Sequence, residues 1–170
     1  MQKLASLLNI IDSISEWTGK IVSFLIPLIC LEMMYEVVGR YGFGAPTIWS
    51  FELSYFLCGT AIIIGGAYAL RHGAHVNVDI VYTRFSPRGK AILDVLSAVV
   101  FFAFVGTMAW LAVGFGLKSV QYLEHSDSLW APPVYPFKMM LPIGAFLITL
   151  QGLAKFVRDL IMAVTGREVK

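Results

Sequence analysis

The chain has 170 residues, of which 58% are hydrophobic and 14% are charged, and its formal net charge at pH 7 is +2. Soluble domains are about 45–50% apolar and about 25% charged, so this composition indicates an integral membrane protein. The small net charge, spread over predicted loops rather than along one stripe, argues against nucleic acid as a partner. Cys30 and Cys58 both lie in apolar runs, which predicts neither a disulfide framework nor a zinc site.

The first predicted element is an amphipathic helix over residues 4–17. Its apolar residues recur at helical spacing, and the polar residues fall on or near the other face. The apolar run is too interrupted to cross a bilayer, so we predict an interfacial helix with Trp17 at headgroup depth. Packing of this helix on a partner protein is the alternative that the pattern leaves open. The apolar positions are Leu4, Leu7, Leu8, Ile11 and Ile14.

The first predicted span covers about residues 21–38, with Pro27 as a possible kink. Glu32, Glu36 and Arg40 are spaced at i, i+4 and i+8, so they share one helical face, and Glu36 before Arg40 is the favourable order for an ion pair. Charges at this depth are costly and face protein or water rather than lipid. We interpret the two acids as part of a buried ionic network, with a proton or cation pathway as the alternative.

The second predicted span covers about residues 48–70 and is long enough to cross a bilayer. Trp49 and Glu52 stand at its beginning, and the small residues Gly65 and Gly66 near its end are typical of close helix packing, either within the chain or against a partner. A polar segment follows the span and includes Arg71, His75 and Asp79.

The third and fourth predicted spans cover about residues 91–117 and 134–157, which completes a single all-α domain of four transmembrane helices. In this arrangement ten Lys and Arg residues lie on the side of the two termini and the loop over 71–90, and three lie on the other side. The positive-inside rule therefore predicts that both termini are cytoplasmic.

No catalytic constellation is visible, and we predict no enzyme activity, cofactor or metal. The three histidines, His72, His75 and His125, all fall in predicted loops, whereas a haem-binding membrane anchor needs histidines inside its spans. The four spans also show no repeated halves with broken helices, which are typical of secondary transporters that work alone. The pattern favours a subunit that supports a larger machine.

One set of positions forms a recognisable pattern: Arg40, Trp49-x-x-Glu52, Gly65–Ala67, Arg71-x-x-x-His75 and Val76-x-Val78-Asp79. Together with the four-span layout, this pattern resembles the small membrane subunit of tripartite ATP-independent periplasmic (TRAP) transporters. The resemblance extends over residues 37–157, and the run LPIGAFLITL at 141–150 is similar to the last span of that family.

The resemblance implies a scaffold in the bacterial or archaeal inner membrane. In that family a periplasmic binding protein delivers a small organic acid to a large multi-span subunit, which takes it up by sodium symport. The small subunit binds the large one, so the matching residues are expected to serve packing and orientation. A contact of the extracytoplasmic loop, which contains Glu124 and Asp127, with the binding protein is a hypothesis that the sequence alone leaves open. Two alternatives remain: a small proton-coupled exporter that uses a membrane glutamate, and a membrane anchor of an enzyme complex.

Overall fold

The computed structural model describes residues 2–74, 85 and 87–166. His75 and Asp79 lie outside the described residues. Four helical segments are long and apolar enough to cross a membrane: Ala5–Gly42, Ser50–Arg71, Gly89–Gln121 and Tyr135–Thr165. Within the described ranges the only β-type pairing is an isolated bridge between His125 and Pro133. The predicted all-α fold with four membrane spans is confirmed.

The described residues form six α-helices, and a π-helical turn over Val38–Gly42 follows the second of them. The fifth helix is a single turn that leads into the last long helix. The helices are α1 Gln2–Ser23, α2 Leu25–Val37, α3 Ser50–Arg71, α4 Pro87–Gln121, α5 Tyr135–Lys138 and α6 Met140–Thr165.

Helices α1 and α2 form one nearly continuous rod that is interrupted at Phe24. The Phe24 amide donates to the Ile21 carbonyl at 3.2 Å, an i to i−3 bond that tightens the turn. Pro27 explains the interruption, because a proline has no N–H and its ring crowds the carbonyl four residues earlier. The sequence places a boundary between the interfacial helix and the first span near Gly19, but the helix continues through this glycine. A Cβ on Gly19 would lie 2.3 Å from the Tyr68 side chain, so the glycine permits close packing on α3.

The long helices pack in a row rather than in a closed bundle. Helix α4 packs on α6, α6 packs on α3, and α3 packs on the α1–α2 rod, whose α1 end also reaches α6. In the described part of the chain α4 makes no more than marginal contact with α1, α2 and α3. Each inner helix therefore has neighbours on two sides, and much of the apolar surface of the row faces outward.

Helix α6 holds the centre of the row through two glycines. A Cβ on Gly144 would lie 2.4 Å from Ile63 of α3, and a Cβ on Gly152 would lie 2.4 Å from Phe101 of α4. Small residues let helix backbones approach closely, which matters in a membrane because lipid tails compete with apolar side chains for contact. These two approaches fix α3 and α4 on α6.

Candidate interaction surface and its polar anchors

The first polar anchor joins α2 to the beginning of α3. Glu32 is only 9% exposed, and the hydroxyls of Ser50 and Ser54 donate to its two carboxylate oxygens. The two serines are one helical turn apart, so both face α2. A buried carboxylate is costly unless it is hydrogen-bonded, and here both of its oxygens accept. Glu32 thereby specifies how α2 packs on α3.

A second anchor closes the turn between α2 and α3. Arg40 Nε donates to Glu36 Oε1 at 2.9 Å, and the backbone amide of Thr47 donates to Glu36 Oε2 at 3.0 Å. Trp49, directly before α3, stacks on Tyr35 with a ring-centroid distance of 6.0 Å and an interplanar angle of 23°. The predicted ion pair of Glu36 and Arg40 therefore forms, and together with the Thr47 hydrogen bond and the stacked rings it orders the turn.

At the same end of the row, Glu52 and Glu124 anchor the loop between α4 and α5. Ser128 Oγ donates to Glu52 Oε2 at 2.6 Å, which ties this loop to the first turn of α3. Lys138 Nζ donates to both carboxylate oxygens of Glu124 at 2.6 Å. The Lys138 ammonium holds the pKa of the Glu124 carboxyl below its ordinary range.

The two glycines predicted for close helix packing occupy different environments. Among the described residues, no heavy atom lies within 4 Å of a Cβ placed on Gly65, whereas a Cβ on Gly66 would make an ordinary contact with Ile148 at 3.5 Å. Gly65 thus has open space beside it. Tight approaches occur instead at Gly19, Gly144 and Gly152, and the signal in the sequence was the presence of these small residues inside apolar helical segments.

The opposite end of the row carries a polar cluster that joins α1 to α3 and α6. Arg71 Nη1 donates to the Asp12 carbonyl at 2.6 Å and to Glu16 Oε2 at 2.8 Å. Arg158 donates to both carboxylate oxygens of Asp12, at 2.7 and 3.2 Å. His72 Nε2 lies 3.5 Å from Glu16 Oε2. Arg71, the one predicted residue in this cluster, therefore ties α1 to the end of α3.

The buried centre of this cluster is a contact between Ser15 and Gln151. Ser15 Oγ donates to Gln151 Oε1 at 2.6 Å, and these residues are 1% and 2% exposed. Gln151 Nε2 also donates to Asp12 Oδ1 at 3.0 Å. Sequence reasoning missed this contact. The available signals were an amide inside an apolar span and the shared helical face of Asp12, Ser15 and Glu16.

A third ionic group joins α4 to α6 near the same end. Lys155 Nζ lies 2.6 Å from Asp94 Oδ2 and 2.7 Å from Asp159 Oδ2. Asp94 of α4 is thus paired with a cation of α6. The three groups line a cavity whose walls include Phe101 and Phe156.

The remaining surface of the row is largely apolar. Among the described residues, no group of three His, Cys, Asp or Glu side chains comes together as a metal site. Large hydrophobic side chains are instead exposed along α2, α3 and α4, and this outward surface is the candidate interaction surface. Its most exposed members inside the helices include Leu31, Met34, Phe51, Ile62, Val100 and Trp110.

Comparison with known proteins identifies relatives over most of the chain. The family model described as "Tripartite ATP-independent periplasmic transporters, DctQ component" matches residues 29–162. The chain is also similar to the ectoine TRAP transporter small permease protein TeaB of Halomonas elongata. The two are 22% identical in an alignment 170 residues long, and this alignment covers 98% of this chain and 84% of that protein.

Proposed function

This chain belongs to the DctQ family of TRAP transporter small permease subunits, and from that premise we propose that it is the scaffold of the large transport subunit. It is a multi-pass protein of the inner membrane. In the proposal the large subunit carries out sodium-coupled uptake of a small organic acid, which a periplasmic binding protein delivers. The small subunit holds the fixed part of the large one in the bilayer.

The arrangement of the helices in a row is the observation that carries the proposal. A protein with its own transport pathway needs polar groups that line a route through the membrane. Here the charged groups of the described residues gather at the two ends of the row, and the middle is held by apolar and glycine contacts. Such a row offers wide apolar faces to lipid and to a second membrane protein. These features support a scaffold.

The substrate is assigned only as a small organic acid. The name of the relative gives ectoine as the substrate of its own transporter. In the proposed assembly the substrate and sodium contact the large subunit. Sequence similarity between two small subunits therefore does not indicate that their transporters take up the same substrate. The ligand of the accompanying binding protein would identify it.

Both termini are proposed to be cytoplasmic. The Lys and Arg bias of ten to three supports this orientation. Cysteine labelling from outside intact cells tests it: a cysteine at Leu129, in the loop between α4 and α5, should react, and one introduced after Thr165 should not. The reverse pattern would contradict the assigned orientation.

Co-purification tests the scaffold role directly. The tagged chain is co-expressed with the genes beside its own and extracted in a mild detergent. A large multi-span protein should be recovered with it in a fixed ratio. Recovery of this chain alone as a stable homodimer would refute the proposal.

The buried carboxylate of Glu32 is the one observation that favours a second candidate, a proton-coupled exporter. Such exporters switch on protonation of a membrane glutamate, and intramembrane acids often mark such pathways. In this chain, however, two serine hydroxyls donate hydrogen bonds to the Glu32 carboxylate, which suits a structural role. Glu32→Gln separates the candidates. A scaffold should keep both assembly and uptake, because an amide can still bond both serines, whereas an exporter should lose coupling while it stays assembled.

A further inference from the structure

One face of the α1–α2 rod carries an unbroken apolar stripe. Its residues follow one another at alternating intervals of three and four positions, which is the seven-residue repeat of helices that pack along one another. All of them are exposed in the isolated chain. The stripe consists of Leu7, Ile10, Ile14, Trp17, Ile21, Phe24, Leu28, Leu31 and Tyr35.

The rod binds the rest of the row through a different face. Ser15 bonds Gln151 of α6, the Gly19 backbone lies against α3, and Glu32 accepts from two serines of α3. These residues fall between the positions of the stripe, on the side of the rod that is turned toward the row. The stripe is therefore still available after the chain has packed its own helices.

Along α1 the stripe is narrow and is bordered by polar side chains. Between residues 5 and 23, every exposed large hydrophobic side chain belongs to the stripe. On α2, by contrast, apolar side chains such as Ile26, Met33 and Met34 are exposed outside the stripe as well, as expected beside lipid. A strip of only two apolar positions per seven is the form of a seam between helices. The exposed polar residues beside it on α1 are Ser6, Asn9, Ser13, Lys20 and Ser23.

The stripe extends past the edge of the bilayer. Helix α1 runs antiparallel to α3, and Arg71 at the end of α3 donates to the Asp12 carbonyl. The 22 residues of α3 are about 33 Å long, close to the hydrocarbon thickness of about 30 Å. Leu7 and Ile10 precede Asp12 and so lie beyond this edge, where acyl chains do not cover them. A partner for the whole stripe is thus a protein that also enters the membrane.

A second copy of this chain does not suit the stripe. Two copies insert with the same orientation, so their rods would run parallel and a symmetric pairing would place equivalent residues opposite each other. Trp17 would then meet Trp17 and Phe24 would meet Phe24 in central layers where parallel two-stranded coils favour leucine. A different helix with small residues at these two levels can accept both rings.

We propose that the stripe is the seam for one long transmembrane helix of the large subunit. That helix crosses the rod at about 20°, the angle of left-handed helix pairs, and continues beyond the membrane edge alongside Leu7 and Ile10. Its contact face is apolar, with small residues opposite Trp17 and Phe24. The inference rests on the proposed function, which supplies the large subunit as the partner, and it assigns the contact to the rod.

Site-specific photo-crosslinking in cells tests the seam. The photoreactive amino acid p-benzoylphenylalanine replaces Ile14 or Leu28 of the tagged chain, which is co-expressed with the large subunit. Ser13 is the matched control position, because it is an exposed neighbour of Ile14 on the polar strip. We expect crosslinks to the large subunit from positions 14 and 28 and none from position 13.

A pair of charge variants tests the same contact by affinity. Ile10→Glu with Ile14→Glu places two carboxylates on the stripe, and Asn9→Glu with Ser13→Glu places two at the same spacing on the polar strip. The stripe variant should lower recovery of the large subunit by roughly tenfold or more, because an apolar seam leaves a buried carboxylate unpaired. The control should leave recovery unchanged. Both variants should stay monodisperse when purified alone, since all four side chains are exposed in the isolated subunit.

The remaining outcomes overturn the inference. Crosslinks from position 14 only to lipid or to a second copy would give the stripe a different neighbour. Equal yields from positions 13 and 14, or unchanged recovery with the stripe variant, would show that the partner does not read the repeat. Recovery of the large subunit with the unaltered chain separates this inference from the proposed function. If it is recovered without crosslinks from the stripe, the seam fails and the scaffold stands, and if it is not recovered, both fail.

Discussion

The contact between Ser15 and Gln151 gives the sharpest test of how α1 is held. Replacing Gln151 with Leu removes the acceptor of the buried Ser15 hydroxyl and the amide donor to Asp12. A buried polar group without a partner costs about 1–3 kcal/mol. Loss of the bond to Asp12 adds about 0.6 kcal/mol, the average for hydrogen bonds between helices in a membrane protein. The added cost is no larger than this because Arg158 still binds the Asp12 carboxylate. We expect Gln151→Leu to lower the free energy of unfolding by about 2 kcal/mol.

The partner variant should show that the two residues act together. Ser15→Ala leaves the Gln151 oxygen buried without its donor, so it should also cost about 1–3 kcal/mol. The double variant removes both groups at once. It should cost less than the sum of the two single substitutions, because neither group is left buried without a hydrogen-bond partner. The coupling between the two substitutions should therefore be about 1 kcal/mol or more.

The assay is unfolding of the purified subunit in mixed micelles, with the free energy of unfolding obtained from an SDS titration. Thr107→Ala is the matched control, because this exposed hydroxyl donates only to a carbonyl of its own helix and should change stability by less than about 0.5 kcal/mol. If the two substitutions add to within about 0.5 kcal/mol, the contact does not hold α1 and the reasoning is refuted.

Two glycines and one acid give further tests. Gly144→Leu should prevent folding, because even a Cβ there would lie 2.4 Å from Ile63, and loss of the monodisperse subunit in size-exclusion chromatography measures it. Gly65→Leu should leave the isolated subunit folded, since its Cβ position is open among the described residues, but should reduce recovery of the large subunit if a helix of that partner packs there. At a pH above 4.5, the ordinary pKa of a glutamate carboxyl, the ion pair of Glu124 and Lys138 should hold the loop between α4 and α5 in place. The pair should break, and the loop should be released, as the pH falls through the lowered pKa of Glu124. Protease cleavage of the loop should then rise in acid, and Glu124→Gln should remove that pH dependence.

Local sequence patterns were sufficient for the fold because each span is specified within its own segment. Twenty or so apolar residues predict a membrane helix wherever they occur. Pro27 likewise signals an interruption close to itself, and the break appears at Phe24. Glu36 and Arg40 are one helical turn apart, so their ion pair was also a local prediction.

Partners that lie far apart in the sequence could not be predicted in the same way. Asp12 meets Arg158 across 146 positions, and no periodicity of either helix indicates that pairing. Gly19 shows the same difficulty, because a glycine between two apolar runs suggests a boundary until the Tyr68 ring that packs on it is known. The amphipathic pattern of α1 was detected, but the structure was needed to show that its polar residues bind α3 and α6.

The distribution of the contacts explains how this subunit holds together while its outer faces stay free. In a bilayer the apolar side chains gain little by leaving lipid for one another, so packing and hydrogen bonds must hold the helices together. Here Gly144 and Gly152 supply close packing in the middle, and the polar anchors at Glu32 and Asp12 fix the two ends. None of these contacts uses the outward apolar surface. A row held by these contacts, with its outward faces unused by them, supports the proposed scaffold role.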